Sequence, residues 1–225
     1  MALLCVLLAS CTQVGTASVA GALHPWTKPD AVRIGFYEEP DTLDPVIGQM
    51  SFSSDVYQLI FDGLIRFDDR GHPIPDLARE VPSLANGGIS KDGRTLTYHI
   101  ALGARWHDGV PVTSHDVAFT WRQIMNPANA TPTRVGYDRI ERIETPDDRT
   151  VIVRLKSPYP PALYLFKDLN QGAIVPEHLL RGNVSLDKVA FNRAPIGSGP
   201  YITTAARRSP RASRVVLRDG SRRHL

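Results

Sequence analysis

The chain has 225 residues, 42% hydrophobic and 22% charged, which is enough for one or two domains. Its only two cysteines, Cys5 and Cys11, lie at the extreme N-terminus, so thiol catalysis, CxxC redox chemistry and cysteine metal sites are excluded from the body, and a core of this size needs no disulfide. The net charge of +3 conceals an asymmetry: residues 202–225 hold seven arginines against the single acid Asp219, a net +6, so the rest carries −3 and offers no nucleic-acid or anionic-membrane surface.

In chain order, Ala2–Ala9 is an apolar run, and no Asp, Glu, Lys or Arg occurs before Lys28. A bilayer span needs about 20 apolar residues, so residues 1–22 read as an export signal. Leu8-Ala-Ser-Cys11 resembles a bacterial lipobox, in which Cys11 is lipidated and anchors the mature chain to the membrane. Ala20-Gly-Ala22 is a rival cleavage site that would release a soluble periplasmic protein. Either way the expected location is the periplasm or the outer face of the cell membrane.

Ala31–Tyr37 reads as a first strand, and Arg94–Ala101 and Thr150–Lys156 alternate as half-buried strands, the second after the turn Pro146-Asp-Asp-Arg149. Together they predict an antiparallel sheet. Between them, Leu102–Thr120 reads as strand, tight turn and capped helix. Asp108-Gly109 is a turn dipeptide and Pro111 delays the helix. Thr113 supplies the N-cap, with Asp116 as the acidic member of a capping box and Val117, Trp121 and Ile124 on one helical face. Pro160-Pro161 open a further helix over Ala162–Phe166. The expected class is α/β, a mixed α+β lobe.

No GxSxG elbow, HExxH helix, P-loop or GxGxxG after a strand occurs, so neither a catalytic residue nor a cofactor is expected. The neighbours His107 and Asp108 suggest a relay or metal pair, as do His115 and Asp116. Structural roles in a turn and a cap outweigh this, because adjacent residues rarely converge on one ion, and no metal is expected. Gly197-Ser-Gly199 reads as a strand-linking turn in preference to an anion cradle.

The segment GARWHDGVPVTSHDVAFT, residues 103–120, resembles the hallmark of the family 5 extracellular solute-binding proteins, the peptide-binding subunits of ABC importers. Glu39–Pro45, Val56–Ile65, Ser90–Ile100, Ile174–Leu180 and Pro195–Tyr201 resemble other family segments in the same order, so the resemblance runs from about residue 32 to about residue 201. It implies the first lobe of a two-lobe periplasmic binding protein-like fold, with the second lobe missing. Residues 23–46 and 166–218 would form the main subdomain, incomplete in its second part, and residues 47–165 an inserted small subdomain. The implied partners are a peptide or other small solute and the permease and ATPase subunits of the importer.

The resemblance places Tyr37, Glu38 and Glu39 at the cleft floor. Glu39 would pair with a peptide ammonium, and its competing reading is a solvated loop acid. Tyr137 offers an aromatic face and a hydroxyl from the inserted subdomain, while a core tyrosine is the stronger reading.

Residues 219–225 form an aberrant Arg-rich end, which leads to the expectation of a truncation or frameshift near Arg218 and of impaired binding. Two other classes compete with a transporter subunit. One is a non-functional fragment or envelope interaction protein; the other is an exported hydrolase, for which no nucleophile and base are found.

Overall fold

The computed structural model describes residues 38–167, 170–209 and 212–219. The strand expected at Ala31–Tyr37, the lipobox cysteine Cys11, the rival cleavage site Ala20–Ala22 and the end beyond Asp219 lie outside the described residues.

Helix α1, Ser53–Ile60, buries Ser53, Val56, Tyr57 and Ile60, positions three or four apart that share one face. A small antiparallel ribbon follows, β1 (Ile65–Phe67) against β2 (Pro73–Pro75). Strand β3, Thr95–His99, buries Leu96 and Tyr98 and pairs antiparallel with β5, Thr150–Leu155, which buries Val151, Val153 and Leu155. Strand β4, Ile140–Glu144, completes the sheet in the order β3-β5-β4, with its register interrupted between Ile140 and Arg142. The period-2 burial is the one that the alternating sequence predicts. The turn into β5 is organised by Asp147, whose Oδ1 accepts the Arg149 and Thr150 N–H groups at 2.7 and 2.8 Å.

Helix α2, Ser114–Met125, begins where the capping box places it. Thr113 is extended, and its N–H donates to Asp116 Oδ2 at 2.8 Å. Val117 and Ile124 are fully buried; Trp121 sits at the rim, its indole N–H donating to Tyr137 O at 3.2 Å. The helix expected after Pro160-Pro161 is a five-residue 3₁₀ run, Pro160–Tyr164. Its N–H groups reach back three residues, Ala162 to Tyr159 and Leu165 to Ala162, because the prolines supply no donors and the run is too short for i→i−4 bonds. A one-turn helix α3 (Glu177–Leu180) follows, then the antiparallel hairpin β6 (Tyr201–Ser209) and β7 (Ala212–Asp219).

One hydrophobic core runs through the proposed inserted segment and its flanks, from Leu43 and Ile47 through Trp106 and Val153 to Ile174 and Leu186. Trp106, Tyr57, Tyr98, Phe61 and Phe166 are its largest fully buried side chains, and each such burial contributes roughly 1.5–3 kcal/mol. Among the described residues no helix is long and apolar enough to cross a membrane.

Candidate functional site

The loop before α1 is pinned from Asp41 onward. Asp41 Oδ2 accepts the Gln49 N–H at 2.7 Å and Asp41 Oδ1 the Ser53 hydroxyl at 2.9 Å, while the Tyr57 hydroxyl donates to Thr42 O at 3.1 Å. Asp44 and the residues up to Ile47 are buried. This anchoring leaves Glu38 and Glu39 at the exposed edge, where neither makes a hydrogen bond or ion pair among the described residues. An exposed carboxylate can meet a cation, as the resemblance expects of Glu39, and is equally a solvated loop acid. Tyr37 lies outside the described residues.

Tyr137 belongs to the core. It is 5% exposed, packs edge-on against Phe166 with ring centroids 5.6 Å apart, and donates its hydroxyl to Leu165 O. Burial pushes its phenol up, so it is a fixed donor inside the lobe and presents no face to a solute.

The hallmark segment is a structural hub. Asp116 is 4% exposed, and its Oδ2 accepts from the Thr113 N–H, the Thr113 hydroxyl and, at 3.4 Å, the Trp106 indole. Its Oδ1 accepts the Glu177 N–H at 2.8 Å, which caps α3. Burial pushes this carboxyl up, and the hydrogen bonds from Thr113, Glu177 and Trp106 pull it back. One turn on, the Thr120 hydroxyl donates to Asp116 O and accepts the Val175 N–H at 3.0 Å, locking Ile174–Glu177 onto α2. Gly109, at φ +93, takes the left-handed turn position that suits glycine, and Asp108 Oδ1 accepts the Val110 N–H at 3.1 Å. Asp108 Oδ2 lies 2.8 Å from His178 Nε2.

Three distant segments meet at Gly197-Ser-Gly199. The His107 N–H donates to Gly197 O at 2.8 Å, the Gly197 N–H donates to His107 Nδ1 at 3.3 Å, and His107 Nε2 lies 2.8 Å from Gly199 O. The ring therefore accepts at Nδ1 and donates at Nε2, a tautomer assigned from these partners. The Gly199 N–H donates to Ile60 O at the end of α1, and the Ser198 hydroxyl accepts the Asp62 N–H at 3.3 Å. A Cβ on Gly197 would lie 1.9 Å from Ile60 O. The two glycines permit close approach of two backbones, and the segment is a packed turn whose two glycine N–H groups are already used.

His107, His115 and His178 are thus bonded to a glycine turn, to Thr145 and Asp148, and to Asp108. Among the described residues no three or more His, Cys, Asp or Glu side chains come together to hold a metal ion. The sequence motifs located the hub residues Thr113 and Asp116 but missed Asp108–His178 and His107–Gly199, whose partners lie 70 and 92 residues apart.

Residues 72–218 match the family model of bacterial extracellular solute-binding proteins, family 5, middle region. The chain belongs to this family. Among its family 5 relatives, Protein XP55 of Streptomyces lividans is 34% identical over 175 residues, covering 78% of this chain and 30% of its own length. The periplasmic oligopeptide-binding protein OppA of Salmonella typhimurium is 30% identical over 155 residues, covering 61% of this chain and 27% of its own. Among solved structures, NikZ from Campylobacter jejuni in complex with Ni(L-His) is similar with TM-score 0.69 and 29% identity over 84% of this chain and 35% of that one. AgaA from A. tumefaciens R10, in complex with agropinic acid, gives TM-score 0.68 and 29% identity over 83% and 35%. The family 5 chain described here therefore has the mixed α/β fold of periplasmic binding proteins and spans about a third of the length of the relatives it matches.

Proposed function

We propose that this chain forms the first-lobe part of the substrate-binding component of an ABC importer for peptides or similar small solutes. Its partners would be the permease and ATPase of that importer. The reading rests on one observation: the family match covers the hub built around Asp116 and the Gly197–Gly199 junction, so the segments that resemble the family are the ones that hold this lobe together. It is further supported by relatives named for peptide binding and by structures holding a nickel–histidine complex and an opine. In this reading Glu38 and Glu39, with Tyr37 before them, face the solute, and Glu39 receives an ammonium group. The lobe works as one wall of a clamp that closes on solute about a hinge, and no bond is made or broken. Export with a lipid anchor at Cys11 would place it at the outer face of the membrane.

One wall of a clamp holds solute weakly, so titration calorimetry of the 225-residue chain with peptide mixtures should show no micromolar binding. Millimolar peptide with a free amino terminus should shift the NMR signals of residues 38–41, and Glu39→Gln should abolish the shift by removing the charge. Perturbation confined to other surfaces, unchanged by Glu39→Gln, would sink the assignment of the cleft face.

A further inference from the structure

Asp44 is fully buried, and its two carboxyl oxygens are used unequally. Oδ1 accepts the Val46 N–H at 2.9 Å, whereas Oδ2 is buried with no hydrogen-bond partner among the described residues. Asn192 carries a second such oxygen, Oδ1, while its amide nitrogen donates to Leu186 O at 2.8 Å. The backbone brings the two segments together, because the Leu43 N–H donates to Asn192 O at 2.9 Å. Buried acceptors without donors are rare and costly. Two such oxygens cannot satisfy one another, whereas a protonated carboxyl is a donor as well as an acceptor.

We propose that Asp44 is carried in the fold as the neutral acid, its Oδ2–H donated to Asn192 Oδ1, forming a clasp that fastens the loop 41–47 to the segment 186–192 only while the proton is present. The surroundings favour the neutral form. Burial pushes the carboxyl up to about 7, the Val46 N–H opposes it, and the carboxylate of Asp187, on the segment the clasp engages, adds to the rise. From α1, Tyr57 faces the same group, its phenol pushed up by burial first and by Asp41 and Asp44 in part. No Lys, Arg or His is among the charges acting on Asp44 among the described residues.

The sign follows from linkage. The folded carboxyl holds its proton more tightly than an unfolded one, whose pKa is about 3.9, so the clasp's stability is complete below that value and is lost as pH rises through about 7. The loop concerned leads directly from Glu38 and Glu39, so the proton tightens the base of the proposed solute face. The clasp itself stands whether or not that functional reading holds.

Carbon-13 NMR of the aspartate carboxyls of the full chain tests it. The Asp44 resonance should titrate near neutrality, and in Asn192→Leu, which removes the acceptor, its proton affinity should fall about tenfold, the worth of one hydrogen bond. An Asp44 midpoint at ordinary carboxylate values, or one unmoved in Asn192→Leu, overturns the clasp. If Asn192→Leu does not fold, Asp44→Asn decides, since its amide can donate to Asn192 and accept from Val46 without a proton. Wild type should lose stability to urea from about pH 5 to about pH 8 and Asp44→Asn should not; an equal loss in both overturns the proposal.

Discussion

Asp116 accepts hydrogen bonds from Trp106, Thr113 and Glu177, so one carboxylate joins a turn, a helix start and the cap of a second helix. Removing it leaves several buried donors unsatisfied, and Asp116→Ala should destabilise the lobe by about 3 kcal/mol or more in urea unfolding. Tyr98 presents the opposite case. It is 1% exposed, its hydroxyl has no partner among the described residues, and burial pushes its phenol up. Tyr98→Phe removes an unsatisfied group at almost constant shape, so it should leave stability unchanged or raise it by about 1 kcal/mol, whereas Tyr137→Phe orphans Leu165 O and should lower it by about 1–3 kcal/mol. At the acid end, Asp92 and Asp147 are held below the usual carboxylate range by a side-chain bond from Ser90 and by the Arg149 N–H respectively. Their folded values lie below their unfolded ones, so their stabilisation is present above about pH 4 and is lost as pH falls below it, which a thermal melt between about pH 2 and about pH 5 should register.

At the scale of elements, the sequence was legible wherever the cause was local. Alternation named β3 and β5, and Thr113 with Asp116 named the start of α2 to the residue. Thr113→Ala should accordingly cost about 1 kcal/mol in the same unfolding assay. What stayed hidden were partners far along the chain. Nothing around Asp116 announces that Glu177 lies on its other oxygen, and nothing around Leu43 announces that its N–H meets Asn192 O. The Gly197–Gly199 turn was expected as a turn, yet the reason for its glycines is Ile60 O, a backbone atom from another element. Gly197→Ala should therefore cost about 3 kcal/mol through displaced backbone. Of the residues assigned to the solute face, Glu38 and Glu39 lie exposed, which fits that role and a solvated loop acid alike. Tyr137 lies in the core, the stronger of the two readings its sequence position offered.

Across the molecule, β5 is the central strand of its sheet, with β3 and β4 on either side, while β1 and β2 form an isolated ribbon of three residues each. Hydrogen exchange should be slowest in Val151 to Leu155 and much faster in Asp69 to His72, the exposed turn end of the ribbon, since Ile65 is fixed in the core and bridges Lys167. The junction at His107 has a consequence for the order in which the protein is made. Its bonds span 92 residues from His107 to Gly199 and 136 from Asp62 to Ser198. Contacts so distant in sequence close late and slowly. A growing chain cannot supply the Gly199 donor for Ile60 O until Gly199 has left the ribosome, so this junction forms among the last parts of the lobe, and until then that backbone is open to chaperones.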